Sequence, residues 1–279
     1  MIRTIPMAVL LLASSAAAQS GADRPASPAV PLTVGETFTL PSKVLGETRR
    51  ITVYLPPIYA DSAGRRFPVL YMLDGGLGED FLHVAGLVQV SVGNGTMRPM
   101  VLVGIENTDR RRDLTGPTEV ASDRAIAPRV GGSAAFRAFV RTELIPEVER
   151  RYRTTAERAI IGESLAGLFV VETFFLEPTL FDTYVAIDPS LWWNAEALVK
   201  GAGDRFRGGV GRGRTLHVAT SSHPIMTRVG SEFERVLQRE APAGLRWSYE
   251  AMPNETHATI FHPAALWAVR RLFRPTESR

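Results

Sequence analysis

The sequence predicts an α/β domain with a mostly parallel central sheet, an antiparallel start and helices on both faces. Three observations carry that reading. Short continuous apolar runs recur along the chain, as strands covered on both faces require. Helical stretches lie between these runs, so successive strands are joined by crossovers and run parallel. Two runs near the N-terminus instead alternate polar and apolar residues, the mark of half-buried antiparallel strands.

The elements follow in order. Arg3 gives the N-terminus a positive charge, Ile5 to Ala13 is apolar apart from Pro6, and Ala16-Ala17-Ala18 supplies the small residues a signal peptidase accepts. Residues 1–18 are therefore expected to be an export signal cleaved after Ala18, which implies a periplasmic or secreted protein. The apolar run is about half of the roughly 18 residues a membrane span needs, and no later segment is long and uncharged enough. Residues 19–32, rich in Ser, Ala, Pro and Gly, read as a flexible lead-in. Residues 33–275 show no composition break, repeat or linker and read as one domain.

Within that domain, Glu36 to Leu40 and Arg50 to Leu55 are the alternating strands. Phe67 to Leu73, Met100 to Ile105 and Ala159 to Ile161 are the continuous apolar ones; Tyr184 to Ile187, Leu216 to Ala219 and Leu245 to Ala251 continue the series. Ser133 to Arg151 places Phe136, Phe139, Val140, Leu144, Ile145 and Val148 three and four residues apart, an amphipathic helix with Ser133 as N-cap. Leu165 to Leu176, Ser231 to Arg239 and Pro263 to Phe273 are the other strong helices. In open parallel sheets, chemistry sits beyond the carboxyl ends of the strands.

Composition narrows the chemistry. The chain has 279 residues and no cysteine, which removes disulfide scaffolds, thiolate metal sites and cysteine nucleophiles. Its formal charge is only +3. The high isoelectric point follows from Arg supplying nearly all the basic residues, with Lys only at positions 43 and 200. The densest basic cluster, Arg110-Arg111-Arg112, is followed at once by Asp113, and no basic stripe is interleaved with aromatics, so nucleic acid is not an expected partner. No His-Glu-x-x-His or carboxylate cluster suggests a metal, and no cofactor is expected.

The most specific motif is Gly162-Glu163-Ser164-Leu165-Ala166-Gly167, which follows an apolar strand and opens an apolar helix. A nucleophile elbow has this form: a small residue two before the serine permits the sharp turn, and the helix N-terminus favours developing negative charge. A glycine normally stands two positions after the serine; here Ala166 occupies that place. Taken alone, such a junction also fits a plain turn with an N-cap. A serine needs a base to take its proton. Of the five histidines, His257 lies just after the last predicted strand, where the Ser…His order places a base; His223, on a loop at the same edge, is the weaker alternative. His217 reads as core, and His83 and His262 fall on helical faces. For the orienting acid, Asp188 at a strand end is favoured over Glu232 in the following helix, and a Ser-His dyad without an acid stays open. Oxyanion donors are expected from the Leu165 amide and from Gly75 or Gly76.

These residues, together with Tyr71-Met-Leu-Asp74-Gly75, the run from Val103 through Asn107-Thr-Asp109-Arg110 to Thr115, Asp188-Pro-Ser190-Leu-Trp192-Trp193 and Glu255-Thr-His257, carry a resemblance. The chain resembles the esterase D-like family of the α/β-hydrolase superfamily, in particular the branch of siderophore esterases that open the trilactones of enterobactin, salmochelin and bacillibactin. The resemblance implies an α/β-hydrolase fold, Ser164 as nucleophile, His257 as base, and metal-free hydrolysis of a small-molecule carboxylic ester. Many relatives carry a carboxylate just after the strand matching Leu216 to Thr220, and this chain does not. Arg110 is a candidate for binding an anionic substrate, against the plainer reading of a structural ion pair. Trp192 and Trp193 are candidates for an aromatic pocket, against a place in the core. An acyltransferase on the same residues, or a catalytically impaired secreted binding protein, are the competing readings.

Overall fold

Eight strands make one sheet in the order β1-β2-β4-β3-β5-β6-β7-β8. They are β1 (Glu36–Ser42), β2 (Glu47–Tyr54), β3 (Phe67–Met72), β4 (Val101–Ile105), β5 (Thr154–Glu163), β6 (Thr183–Ile187), β7 (Thr215–Thr220) and β8 (Arg246–Ala251). β2 is antiparallel to both β1 and β4, and every pairing from β4 to β8 is parallel. This computed structural model describes residues 28–275; the expected export signal and most of the lead-in lie outside the described residues. From Thr33 onward the chain forms one compact unit.

The apolar runs are continuous because both sheet faces are covered. Val69 and Tyr71 of β3, Val101 and Val103 of β4, Ile160 of β5 and Tyr184 and Ala186 of β6 face one core, shared with the Ser133–Phe139, Leu165–Leu176 and Pro224–Glu240 helices. The intervening residues Leu70, Met72, Leu102, Ala159, Ile161, Val185 and Ile187 face the other, under the Phe81–Gly93 and Phe261–Leu272 helices. Ala264, Ala265 and Ala268 are fully buried, so the last helix lies close on the sheet. Each fully buried Val, Leu, Ile or Phe contributes roughly 1.5–3 kcal/mol of transfer free energy.

All eight strands and the four strong helices occur where expected, with four physical differences. Ser133 is the first residue of its helix and not the N-cap, which is Gly132, and its side chain makes no capping bond. The helix expected over Ser133 to Arg151 contains a π turn, Val140–Leu144. Pro146 has no N–H and its ring would clash with the Thr142 carbonyl; the wider turn, closed by the Ile145 amide on Val140, precedes it. The Pro224–Glu240 helix begins well before Ser231. Gly230 looks like a helix breaker, yet it lies inside the helix against β7: a Cβ there would come within 2.4 Å of Thr220 Cγ2. The Phe81–Gly93 helix lacks a strong moment because it is apolar on much of its surface.

One buried cation locks the antiparallel end of the sheet. The Arg49 side chain is fully buried on β2. Its Nη1 donates to Asp113 Oδ2 (2.6 Å), Thr108 Oγ1 (2.7 Å) and Glu47 Oε1 (2.8 Å), and Nη2 donates to the Glu106 carbonyl (3.0 Å). The guanidinium also lies 5.1 Å from the centre of the Phe136 ring. Arg49→Met would leave the buried Asp113 with Arg112 as its remaining guanidinium partner, and the expected loss is about 1.5–3 kcal/mol, read as a lower urea midpoint.

A second buried polar group titrates. His217 of β7 is fully buried, bonded through Nδ1 to Ser248 Oγ (2.9 Å) and stacked on Trp267 at 4.4 Å. Burial, with Arg271 adding repulsion, pushes its pKa down to about 4. The unfolded chain therefore binds this proton before the folded one does, and stability should fall as pH drops below about 6.5 and level off below the folded value. Thermal melts of His217→Gln against the parent between pH 7 and pH 4 should show a flatter dependence for the variant.

Candidate active site

The parallel register creates the site. Glu163, Ile187 and Ala219 form one row across the C-terminal ends of β5, β6 and β7, so Ser164 and Asp188 leave adjacent strands at the same level. Both turn sharply, with left-handed φ values of +60° at Ser164 and +43° at Asp188. The turns are laced together by backbone bonds: the Ser164 amide donates to Ile187 O (3.0 Å), Asp188 to Ala219 O (2.7 Å) and Ser190 to Ser164 O (3.0 Å).

The small residues of the motif have distinct tasks. A Cβ on Gly162 would fall 2.7 Å from Ala166 Cβ, so glycine at the first position is what admits alanine at the fifth. A Cβ on Gly167 would meet Ile187 O at 2.9 Å and Pro189 Cα at 3.0 Å, so this glycine lets the helix approach the end of β6. Ser164 thus stands at the head of the Leu165–Leu176 helix, where the Leu165 amide has no intrahelical partner.

His257 reaches both groups. Its Nε2 is 3.1 Å from Ser164 Oγ and its Nδ1 is 2.6 Å from Asp188 Oδ2. The Asp188 carboxylate is fully buried; Ser221 donates to it from its amide (2.8 Å) and its hydroxyl (2.7 Å). Burial pushes the Asp188 carboxyl up, but the hydrogen bonds from His257 and Ser221 outweigh it and hold the group below its ordinary value. The bond to Asp188 raises the His257 pKa against partial burial, and Glu163 raises it further. Glu163 Oε1 is 3.9 Å from His257 Nδ1. Burial pushes the Glu163 carboxyl up to about 7, with Asp188 adding to the rise and His257 and Arg110 opposing it.

The other candidates sort clearly. Glu232 stands on the Pro224–Glu240 helix, 3.9 Å from Arg228, and takes no part in this chain of contacts. His223 is exposed, its ring 6.4 Å from that of His257. The expected oxyanion role of Gly75 is corrected: its amide donates to Ile105 O (3.0 Å), and a Cβ there would lie 2.3 Å from Gly104 Cα, so this glycine serves the close approach of β4. The Gly76 amide is likewise engaged, by Glu79 Oε2 at 2.7 Å. For Arg110 the structure shows the plainer alternative, a structural ion pair. Its Nε and Nη2 form a bidentate pair with Asp74 (2.7 and 2.8 Å), because Asp74 at the end of β3 needs a counter-charge. Trp193 belongs to the core, with Nε1 donating to the Gly116 carbonyl (3.0 Å). Trp192 is only partly buried beside it.

Three groups at the site escaped the sequence reading. Ser221 follows β7 where a carboxylate was sought, and only the β6–β7 register shows that it serves Asp188. Ser190 Oγ lies 3.4 Å from Ser164 Oγ, although its motif had been noted only for its tryptophans. Glu163 occupies the variable position of the elbow motif. Just downstream, Asn194, Ala195 and Glu196 hold φ of +50°, +49° and +65° in succession. The Asn194 amide donates to Asp123 Oδ2 (2.7 Å), Arg228 to Glu196 Oε1 (2.5 Å) and Lys200 to Ala195 O (2.6 Å), which holds this turn in place.

Among the described residues, no group of three or more His, Cys, Asp or Glu is placed to hold a metal. No described helix is long and apolar enough to cross a membrane.

Known proteins resemble this chain in sequence and in fold. Over 182 residues the chain is 31% identical to the ferri-bacillibactin esterase BesA of Bacillus subtilis, covering 59% of this chain and 61% of that protein. It is 32% identical over 186 residues to the siderophore triacetylfusarinine C esterase of Aspergillus fumigatus, covering 62% and 61%. Both alignments span less than two thirds of those relatives. The crystal structure of an IroE-like serine hydrolase from Shewanella oneidensis superposes with a TM-score of 0.78 at 29% identity, over 86% of this chain and 80% of that one. The family described as "Putative esterase" matches residues 42–254, a span that includes Ser164 and Asp188 and ends just before His257, and the chain belongs to that family.

Proposed function

We propose that this protein hydrolyses carboxylic esters through an acyl-enzyme on Ser164. The observation that carries the reading is the unbroken chain Ser164 Oγ, His257 and Asp188, with contacts of 3.1 and 2.6 Å. His257 Nε2 takes the Ser164 proton as Oγ attacks the ester carbonyl. Asp188 fixes the tautomer that carries the proton on Nδ1 and stabilises the imidazolium that forms. The Leu165 amide, at the positive end of its helix, meets the oxyanion. An oxyanion takes the Gly76 amide as second donor only in exchange for Glu79. The imidazolium then protonates the leaving alcohol, and water, activated by the same histidine, releases the acyl group.

Siderophore-type or other small esters are the proposed substrates, supported by the esterases among the relatives. Activity outside the cytoplasm is proposed from residues 1–18 alone. The complete contact chain favours an enzyme over an impaired binding protein.

Ser164→Ala should abolish turnover of simple acyl esters and labelling by a fluorophosphonate, with the melting temperature preserved; surviving turnover would overturn the assignment. Asp188→Asn should lower kcat by about 10⁴, whereas Glu232→Gln should leave it unchanged, measured side by side on one chromogenic ester. A screen of simple acyl esters against ferric and iron-free catecholate trilactones identifies the substrate class.

A further inference from the structure

Two carboxylates face one nitrogen of His257. Asp188 makes the direct bond to Nδ1, and Glu163 Oε1 stands 3.9 Å from the same atom. The Glu163 side chain is 19% exposed, and among the described residues no donor lies within hydrogen-bond distance of its carboxylate. Such a group is expensive to keep charged unless a positive charge is nearby. Its surroundings supply little that is free. Arg110, from the short helix Arg110–Asp113, donates to the Glu163 backbone carbonyl (3.3 Å), but its guanidinium is clamped by Asp74. Asp188 beyond β6, and Asp80 before the Phe81–Gly93 helix, add negative charge. His257 is the remaining cation, and it exists only when protonated.

We propose that Glu163 is a positioning residue that acts through His257, its carboxylate and the imidazole titrating as one unit that sets the pH at which the base is free. The inference rests on the Ser164–His257 reading. When His257 accepts the serine proton, an ionised Glu163 lies opposite the new charge on the side away from Ser164. When the imidazole is neutral, only the Asp74-paired Arg110 still favours a charged carboxylate at that position, against burial, Asp188 and Asp80. The two groups therefore lose their protons in macroscopic steps that belong to the pair. The burial-raised carboxyl of Glu163 and the raised imidazole of His257 agree with this geometry. Asp188 cannot replace Glu163 in this role, because its two oxygens are saturated by Ser221 and His257 and it stays ionised throughout.

The sign follows. Hydrolysis needs neutral His257, and a negative Glu163 holds the proton on the imidazole. Glu163→Gln keeps the shape and removes the charge, so the rising limb of kcat/KM should move down by about one pH unit. The pH dependence of fluorophosphonate labelling at Ser164 should move with it, whatever happens to the plateau. Glu163→Asp retains the charge on a shorter arm; its midpoint should lie between the parent and the Gln variant, and it provides the measurement should the Gln variant fold poorly. A midpoint that stays put or rises in both assays would overturn the proposal. Ser164→Ala run in parallel separates the two failures: if it still turns over ester, the nucleophile reading has failed; if it is inert while the Glu163 variants leave the midpoint in place, only the role of Glu163 has.

Discussion

The site depends on one row of the sheet. Because β5, β6 and β7 are parallel and Glu163, Ile187 and Ala219 pair in one row at their C-terminal ends, the segments that follow emerge at the same edge and the same height. Neighbouring strands lie about 4.8 Å apart, a gap that one imidazole ring spans. His257, arriving from the loop after β8, therefore meets Ser164 on one side and Asp188 on the other. Asp74 at the end of β3 shares the left-handed backbone of Ser164 and Asp188, with φ of +52°. Three strand ends thus make the same abrupt turn, and each lifts a polar side chain over the edge. A positive φ is disfavoured for any residue with a Cβ, and at Ser164 and Asp188 it is held by the backbone bonds that link their turns.

Electrostatics at this edge is arranged by containment. The sequence is rich in arginine, and an exposed arginine beside a catalytic serine would suggest an anionic ligand. In the structure the nearby guanidiniums are engaged: Arg110 by Asp74, Arg49 and Arg112 by Asp113 and Glu47. They hold the segment between β4 and the Ser133–Phe139 helix against the sheet. The charges free to respond to a reaction are carboxylates and one imidazole, which is why the acid–base behaviour of His257 is governed by its negative neighbours.

The sequence makes strand and helix types legible because their signals are local. Apolar runs, amphipathic spacing and the small residues around Ser164 each report on a few consecutive positions. Asp188 could be favoured because it ends a strand, and His257 because it follows the last one. What failed depended on contacts between distant segments. Gly75 and Gly230 have the same local appearance as a loop glycine and a helix breaker, and only their neighbours across the sheet, Gly104 and Thr220, show that they permit close approach. Arg110 offers two readings, anion binder or ion pair, and its partner Asp74, 36 residues away, is brought to it only by the fold. Trp192 and Trp193 cannot be told apart as pocket or core from their sequence, and the bond from the Trp193 indole N–H to a buried carbonyl is what assigns Trp193 to the core. Ser221 carries no sequence signal, because its value lies in the register of β6 against β7.

The left-handed run Asn194-Ala195-Glu196 bears on how a ligand would be received. Each such residue costs roughly 1–2 kcal/mol relative to ordinary backbone, and the three in succession are held by Asp123 and Arg228 from two other segments and by Lys200 from the end of their own. The Ser190–Trp193 stretch that leads into it, with the Ser190 hydroxyl beside that of Ser164, is therefore held in place without a ligand. A ligand meeting this wall does not have to fold it, so the entropy of association falls on the ligand alone.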